Sequence, residues 1–102
     1  MEFSTVLTNA AVTDLHAAVA YYNDKLPGLG LRMFNETDKA ISRISAQPLS
    51  FSRRFEEVRA CKVANFPYLV FYFPDVNTRT ITILRIFNEW QQPVHKEIAT
   101  TK

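Results

Sequence analysis

The sequence predicts an α+β fold of order β-α-α-β-β-β, with an αα-hairpin packed on one face of a largely antiparallel sheet. Three observations predict it. Apolar residues recur at three- and four-residue spacing on either side of one Pro27-Gly28 turn. Residues 2–7 alternate as a strand does. Beyond residue 58, three apolar runs rich in β-branched and aromatic residues are separated by turn residues.

The elements follow in order. Glu2–Leu7 places Phe3, Thr5 and Leu7 on one side and Ser4 and Val6 on the other. Thr8 or Asn9 then caps a helix by offering a side-chain oxygen to its first free amides. Val12, Leu15, Val19, Tyr22 and Leu26 form that helix's apolar stripe, and alanines 10, 11, 17, 18 and 20 supply propensity. Pro27 and Gly28 end it. A second helix is expected over residues 29–46, with Phe34, Thr37, Ile41 and Ile44 inward and Arg32, Glu36, Lys39 and Arg43 toward water. So short a turn makes the two helices antiparallel neighbours. Gln47-Pro48 stops the second helix, and residues 49–57 read as irregular, anchored by Phe51 and Phe55. Strands are expected over 58–65, 67–73 and 80–87, the last two joined by a turn at Pro74-Asp75-Val76-Asn77.

Composition bounds the function. The 102 residues fit one domain, assigned here to 1–93, followed by a polar tail over 94–102. With 47% hydrophobic and 22% charged residues the chain has globular proportions, which excludes disordered and fibrous classes. Cys61 is the only cysteine, so no intrachain disulfide or cysteine metal cluster forms, in keeping with a reducing cytosol. The start lacks a signal-peptide pattern, and the longest apolar stretch, 66–74, is too short to span a membrane. A cytoplasmic protein without membrane, cofactor or metal is expected. Charge is uneven: residues 1–51 carry net −1 and residues 52–102 net +3. That excess is too small for coating nucleic acid by charge alone, although a local basic surface is compatible with it.

The motifs of familiar enzymes are missing. Gly28 and Gly30 are the only glycines, so there is no phosphate loop. His16 reads as a helix-surface residue and Cys61 as core. Asp14, Asp24, Glu36 and Asp38 decorate helices without evident pairing. What remains is a basic and aromatic group on the later strands: Arg59, Lys62, Tyr68, Tyr72 and Arg85, followed by Asn88, Glu89, Trp90, Gln91 and Gln92. Guanidinium groups suit phosphate and aromatic rings suit unpaired bases, while composition alone favours core tyrosines and solvated arginines. The runs at 66–73 and 81–87 are apolar on both alternating faces. Two helices cover just one face of a sheet, so the other must be covered by the chain's ends or by a partner.

The whole pattern resembles the RelE/ParE superfamily of type II toxins. It is carried by Asp14-Leu15, Tyr21-Tyr22, Pro27-Gly28-Leu29-Gly30, Phe34, Asp38, Ala40-Ile41, Ile44 and Pro48. It continues through Arg59, the run from Phe66 to Tyr72, and the run from Ile81 to Asn88. The match spans roughly Phe3 to Pro93 and is most like plasmid-stabilisation proteins of the ParE branch. The resemblance implies a bacterial toxin neutralised by a cognate antitoxin that wraps it. Its target would be DNA gyrase, by protein binding, or messenger RNA in the ribosomal A site, by cleavage. A non-toxic binding module descended from such a toxin is a third reading.

On this resemblance, Arg59, Lys62, Tyr68, Arg85, Asn88 and Gln91 would contact the target, and Tyr72, Phe87 and Trp90 the antitoxin. Arg59, Lys62, Arg85 and His95 are the candidates for cleavage chemistry. Many members read His-x-x-Arg where this chain has Asn88-Glu89-Trp90-Gln91. Neutral Gln91 cannot supply the charge that steadies a pentacoordinate phosphate. His95 is the only titratable ring near the end. The gyrase-binding toxin is therefore the leading expectation.

Overall fold

A computed structural model describes residues 3–90. Strand β1 (Ser4–Leu7) leads into helix α1 (Asn9–Lys25), and helix α2 (Leu29–Ala46) follows the turn. Four strands complete the fold: β2 (Arg53–Phe55), β3 (Val58–Lys62), β4 (Tyr68–Asp75) and β5 (Thr80–Asn88). The sheet order is β1-β5-β4-β3-β2, with β1 parallel to β5 and the other neighbours antiparallel. Strand β2 falls where the sequence reads as irregular. It is three residues long and pairs with β3 through a register shift, too short and polar to show a strand pattern. The last turn also moves, because β4 continues through Pro74 and Asp75. Asp75 Oδ1 then accepts the Asn77 and Thr78 N–H groups, and Arg79 takes a φ of 54°.

Thr8 is the cap of α1. Its Oγ1 accepts the Ala11 N–H at 3.0 Å and donates to the Leu84 carbonyl at 2.8 Å, so one hydroxyl starts the helix and pins it to β5. The buried face of α1 is Ala11, Leu15 and Ala18, displaced from the expected stripe: Val12 and Leu26 are exposed. Small alanines win this face because they let the helix lie close to its neighbours. In α2 the buried residues are Gly30, Met33, Thr37, Ala40 and Ile44, and Phe34, expected inside, is exposed.

Two glycines shape the hairpin for different reasons. Gly28 precedes α2 with a φ of 92°, in the left-handed region, and its N–H is held by Asn23 Oδ1 at 2.9 Å. At Gly30 the reason is space: a Cβ there would lie 2.6 Å from the Val19 carbonyl oxygen of α1.

The main core lies between the helices and the sheet, where Leu15, Met33, Ile44, Val70, Tyr72, Ile81, Ile83 and Ile86 meet. The other face holds a second cluster of Val58, Ala60, Phe71, Leu84 and Phe87, with Phe55, Leu69 and Phe73 packed against it. Of the two covers expected for this face, the chain itself and a partner, its burial in the single chain favours the first. Phe71 is 4% exposed and Phe87 7%. Their rings meet edge-on at 6.0 Å, and the Arg85 guanidinium lies 4.3 Å from the Phe87 ring centre. Leu84, fully buried, is the extra residue of a bulge, since Phe71 pairs with Arg85 but Tyr72 pairs with Ile83.

Candidate functional site

The bulge decides where the basic residues go. After Ile83, β5 has no β1 residue beside it, because β1 ends at Leu7 and α1 takes its place. Arg85 leaves the sheet here and reaches α1. Its Nε donates to Asp14 Oδ2 at 2.7 Å and its Nη2 to Asp14 Oδ1 at 2.9 Å. The same Oδ2 accepts the Ile86 N–H at 2.9 Å. Both side chains are largely shielded, at 21% and 15% exposure, so this is a fork-to-fork pair in a weakly solvated place. Asp14, expected to sit unpaired on the helix surface, is thus the hub of the site. In the structure it borders the buried face of α1 formed by Ala11, Leu15 and Ala18, a face that the sequence does not mark.

Arg59 is bound to the chain in a different way. On β3 it lies opposite Tyr72, and both point toward the segment between α2 and β2. Arg59 Nη1 donates to the Phe51 carbonyl at 2.7 Å and to the Leu49 carbonyl at 3.3 Å, while the Tyr72 hydroxyl donates to the Pro48 carbonyl at 2.7 Å. The Arg59 Nε is buried without a protein partner. Tyr72 is fully buried and its phenol is pushed up to about 12 by burial. Tyr72, expected at the antitoxin contact, sits in the core with its hydroxyl donated to the Pro48 carbonyl. Phe87, packed under Arg85 and against Phe71, is likewise placed inside the second cluster.

Lys62 Nζ donates to the Phe66 carbonyl at 2.9 Å and the Val63 carbonyl at 3.3 Å, and stands 3.7 Å from Glu89. It closes the β3–β4 turn while its side chain remains half exposed. Tyr68 and Asn88 face each other across β4 and β5 and are hydrogen-bonded through their side chains. Burial pushes the Tyr68 phenol up, an effect that the Asn88 bond opposes. Asn88 Oδ1 also accepts the Trp90 N–H at 2.8 Å, and the Trp90 side chain is exposed. Gln91 and His95, together with the 94–102 tail, lie outside the described residues.

Two concavities flank these residues. A slot of about 350 Å³ runs between α1 and the end of β5, lined by Asp14, Ala17, Ala18, Tyr21, Tyr68, Arg85, Ile86 and Phe87. A smaller groove of about 190 Å³, mostly apolar, lies between β1 and the helices, lined by Thr5, Leu7, Leu15, Phe34, Thr37, Asp38 and Ile41. The structure therefore brings Tyr68, Arg85, Asn88 and Trp90 to one end of the sheet. It does not bring Arg59 there. Among the described residues no group of three or more His, Cys, Asp and Glu side chains is placed to hold a metal ion. No helix among them is long and apolar enough to cross a membrane.

Comparison with known proteins agrees with this architecture. The fold is shared with a chain of the chromosomal ParDE toxin–antitoxin system from P. aeruginosa, at a TM-score of 0.74 and 20% identity. That match covers 84% of this chain and 95% of the other. It is shared also with a chain of the RelBE2 toxin–antitoxin complex from Mycobacterium tuberculosis, at a TM-score of 0.62 and 21% identity, covering 86% and 92%. No curated protein matches the sequence. The sequence model of the family described as the ParE toxin of the type II toxin–antitoxin system parDE matches residues 5–93. The chain belongs to this ParE family of type II toxins.

Proposed function

We infer that the chain is a growth-inhibiting toxin of the bacterial cytoplasm, neutralised by a cognate antitoxin and acting, when free, by binding DNA gyrase. The observation that carries this reading is the state of its arginines. Phosphoryl-transfer chemistry needs cationic groups aimed at the reacting phosphate. Here Arg85 is committed to Asp14 and Arg59 to the carbonyls of Leu49 and Phe51. Lys62 closes a turn. All three hold the fold together, which favours a surface that binds a protein over one that cuts RNA. The exposed Trp90 and Tyr21, both hot-spot residue types, are suited to such contacts.

The neighbouring solved structures come from a ParDE system and a RelBE2 complex, and both support an antitoxin as partner. The test is induced expression with and without the small gene encoded beside it. Growth arrest that the neighbour relieves is expected. Normal growth while folded protein accumulates overturns the toxin reading.

A further inference from the structure

The second face of the sheet is buried more deeply than the sheet alone accounts for. Its cluster of Val58, Ala60, Phe71, Leu84 and Phe87 comes from β3, β4 and β5, with Phe55, Leu69 and Phe73 beside it, and no helix residue joins it. Side chains stand roughly perpendicular to a sheet, so neighbours within one layer leave their outer ends to whatever lies above. Leu84 is nonetheless fully buried, and Phe71 and Val58 almost so. That is the burial of a covered face. It is also graded. Val6 pairs with Thr82 and Thr82 with Phe73, so the three form one row across β1, β5 and β4. Val6 is 49% exposed, whereas Phe73 is partly buried against the cluster. The cover therefore lies over β3, β4 and the end of β5, and stops short of β1.

We propose that residues 91–102 lie across this face as an intramolecular cover, with Val94 and Ile98 seated against Phe55, Leu69 and Phe73. Position, reach and composition choose this occupant. β5 ends at Asn88, one residue after Phe87. Glu89 is then fixed at the same corner, its N–H on the Pro67 carbonyl at 2.6 Å and its carboxylate 3.7 Å from Lys62. Residue 91 thus sets out beside the most deeply buried part of the face. From β5 to β2 is three strand spacings, about 14 Å. The twelve residues after Trp90 would reach about 18 Å as a helix and further when extended. Val94 and Ile98 are the large apolar residues among them, and a spacing of four suits one side of a helical turn. The two residues before Phe3 are too few to span the face. A second molecule fits less well, because the burial is already present in the single chain. The face is then an internal interface, not a surface offered to antitoxin or target, and this inference stands independently of the toxin reading.

The experiment uses the full chain in solution, at a concentration where sedimentation shows a monomer. Through-space proton contacts are measured by NMR, and contacts from the Val94 and Ile98 methyl groups to the Phe55 and Phe73 rings are expected. A variant carrying Val94→Ser and Ile98→Ser, its fold checked by circular dichroism, is then oxidised with hydroxyl radicals beside the natural chain. Oxidation of Phe71 and Phe73 is expected to rise about fivefold in the variant, while Met33 on the helix side stays protected. Absence of the methyl-to-ring contacts in the natural monomer overturns the proposal. Unchanged oxidation of Phe71 and Phe73 in the folded variant does the same. A natural chain whose two rings become oxidisable on dilution alone has its face covered by a second copy, which overturns it equally. Where the variant does not fold, the contacts in the natural chain decide alone.

Discussion

Asp14 of α1 and Arg85 of β5 grip each other through both carboxylate oxygens, at 2.7 and 2.9 Å, and the same carboxylate closes the backbone of Ile86. One acidic side chain thus joins the hairpin to the strand on which the candidate site is built. Removing it strands a shielded guanidinium and a backbone donor together. Asp14→Ala is expected to cost about 2 kcal/mol in urea denaturation. Arg85→Lys is expected to recover little of the pair's worth, because an ammonium cannot make the two-pronged contact.

The close approach of the helices gives a second expectation. Gly30→Ala places a methyl group 2.6 Å from the Val19 carbonyl, a backbone atom that cannot step aside alone. A destabilisation of about 1–3 kcal/mol is expected, read as a lower thermal midpoint. Gly28→Ala meets no atom within 4 Å yet must hold a φ of 92°, so it is expected to cost about 1–2 kcal/mol through conformation alone.

Tyr72 gives a pH dependence with a definite sign. Its phenol is neutral in the folded protein up to about 12, against an ordinary value of 10.0. The unfolded chain therefore releases this proton first as pH rises. The stability contributed by Tyr72 is full below pH 10 and is lost between 10 and 12. Ultraviolet titration is expected to show a tyrosine component ionising late, and Tyr72→Phe is expected to remove it. The same variant loses the bond to the Pro48 carbonyl, at a cost of about 1 kcal/mol.

Arg59 is expected to behave as a tether for the segment after α2. Arg59→Ala frees the carbonyls of Leu49 and Phe51, so amide exchange over residues 49–52 is expected to accelerate while the core of β4 and β5 keeps its protection. Unchanged exchange there would count against the tether.

Much of this was legible in the sequence. The Thr8 cap, the helix pair, the Pro-Gly turn and the three long strands follow from spacing and turn chemistry, and the family pattern fixes their order. The inward faces were less legible. Val12 and Phe34 look like core by hydropathy, but close helix packing is decided by Ala11, Ala18, Gly30 and Ala40, whose small size carries no strong signal. β2 could not be read because three residues show no period. The site was half legible: Arg59, Lys62, Tyr68 and Arg85 stand out by type. Their partners do not, since Asp14 lies 71 positions from Arg85, and the carbonyls that hold Arg59 and Lys62 belong to backbone that every residue shares.

The most direct measurement compares the two targets with one purified protein. The chain, freed from its antitoxin, is added to gyrase with relaxed plasmid DNA and, separately, to a translation extract with a defined message. The account predicts loss of supercoiling with the message intact. Undisturbed supercoiling together with message cleavage in the ribosomal A site would contradict it, because arginines committed to Asp14 and to loop carbonyls would then have to do the cutting.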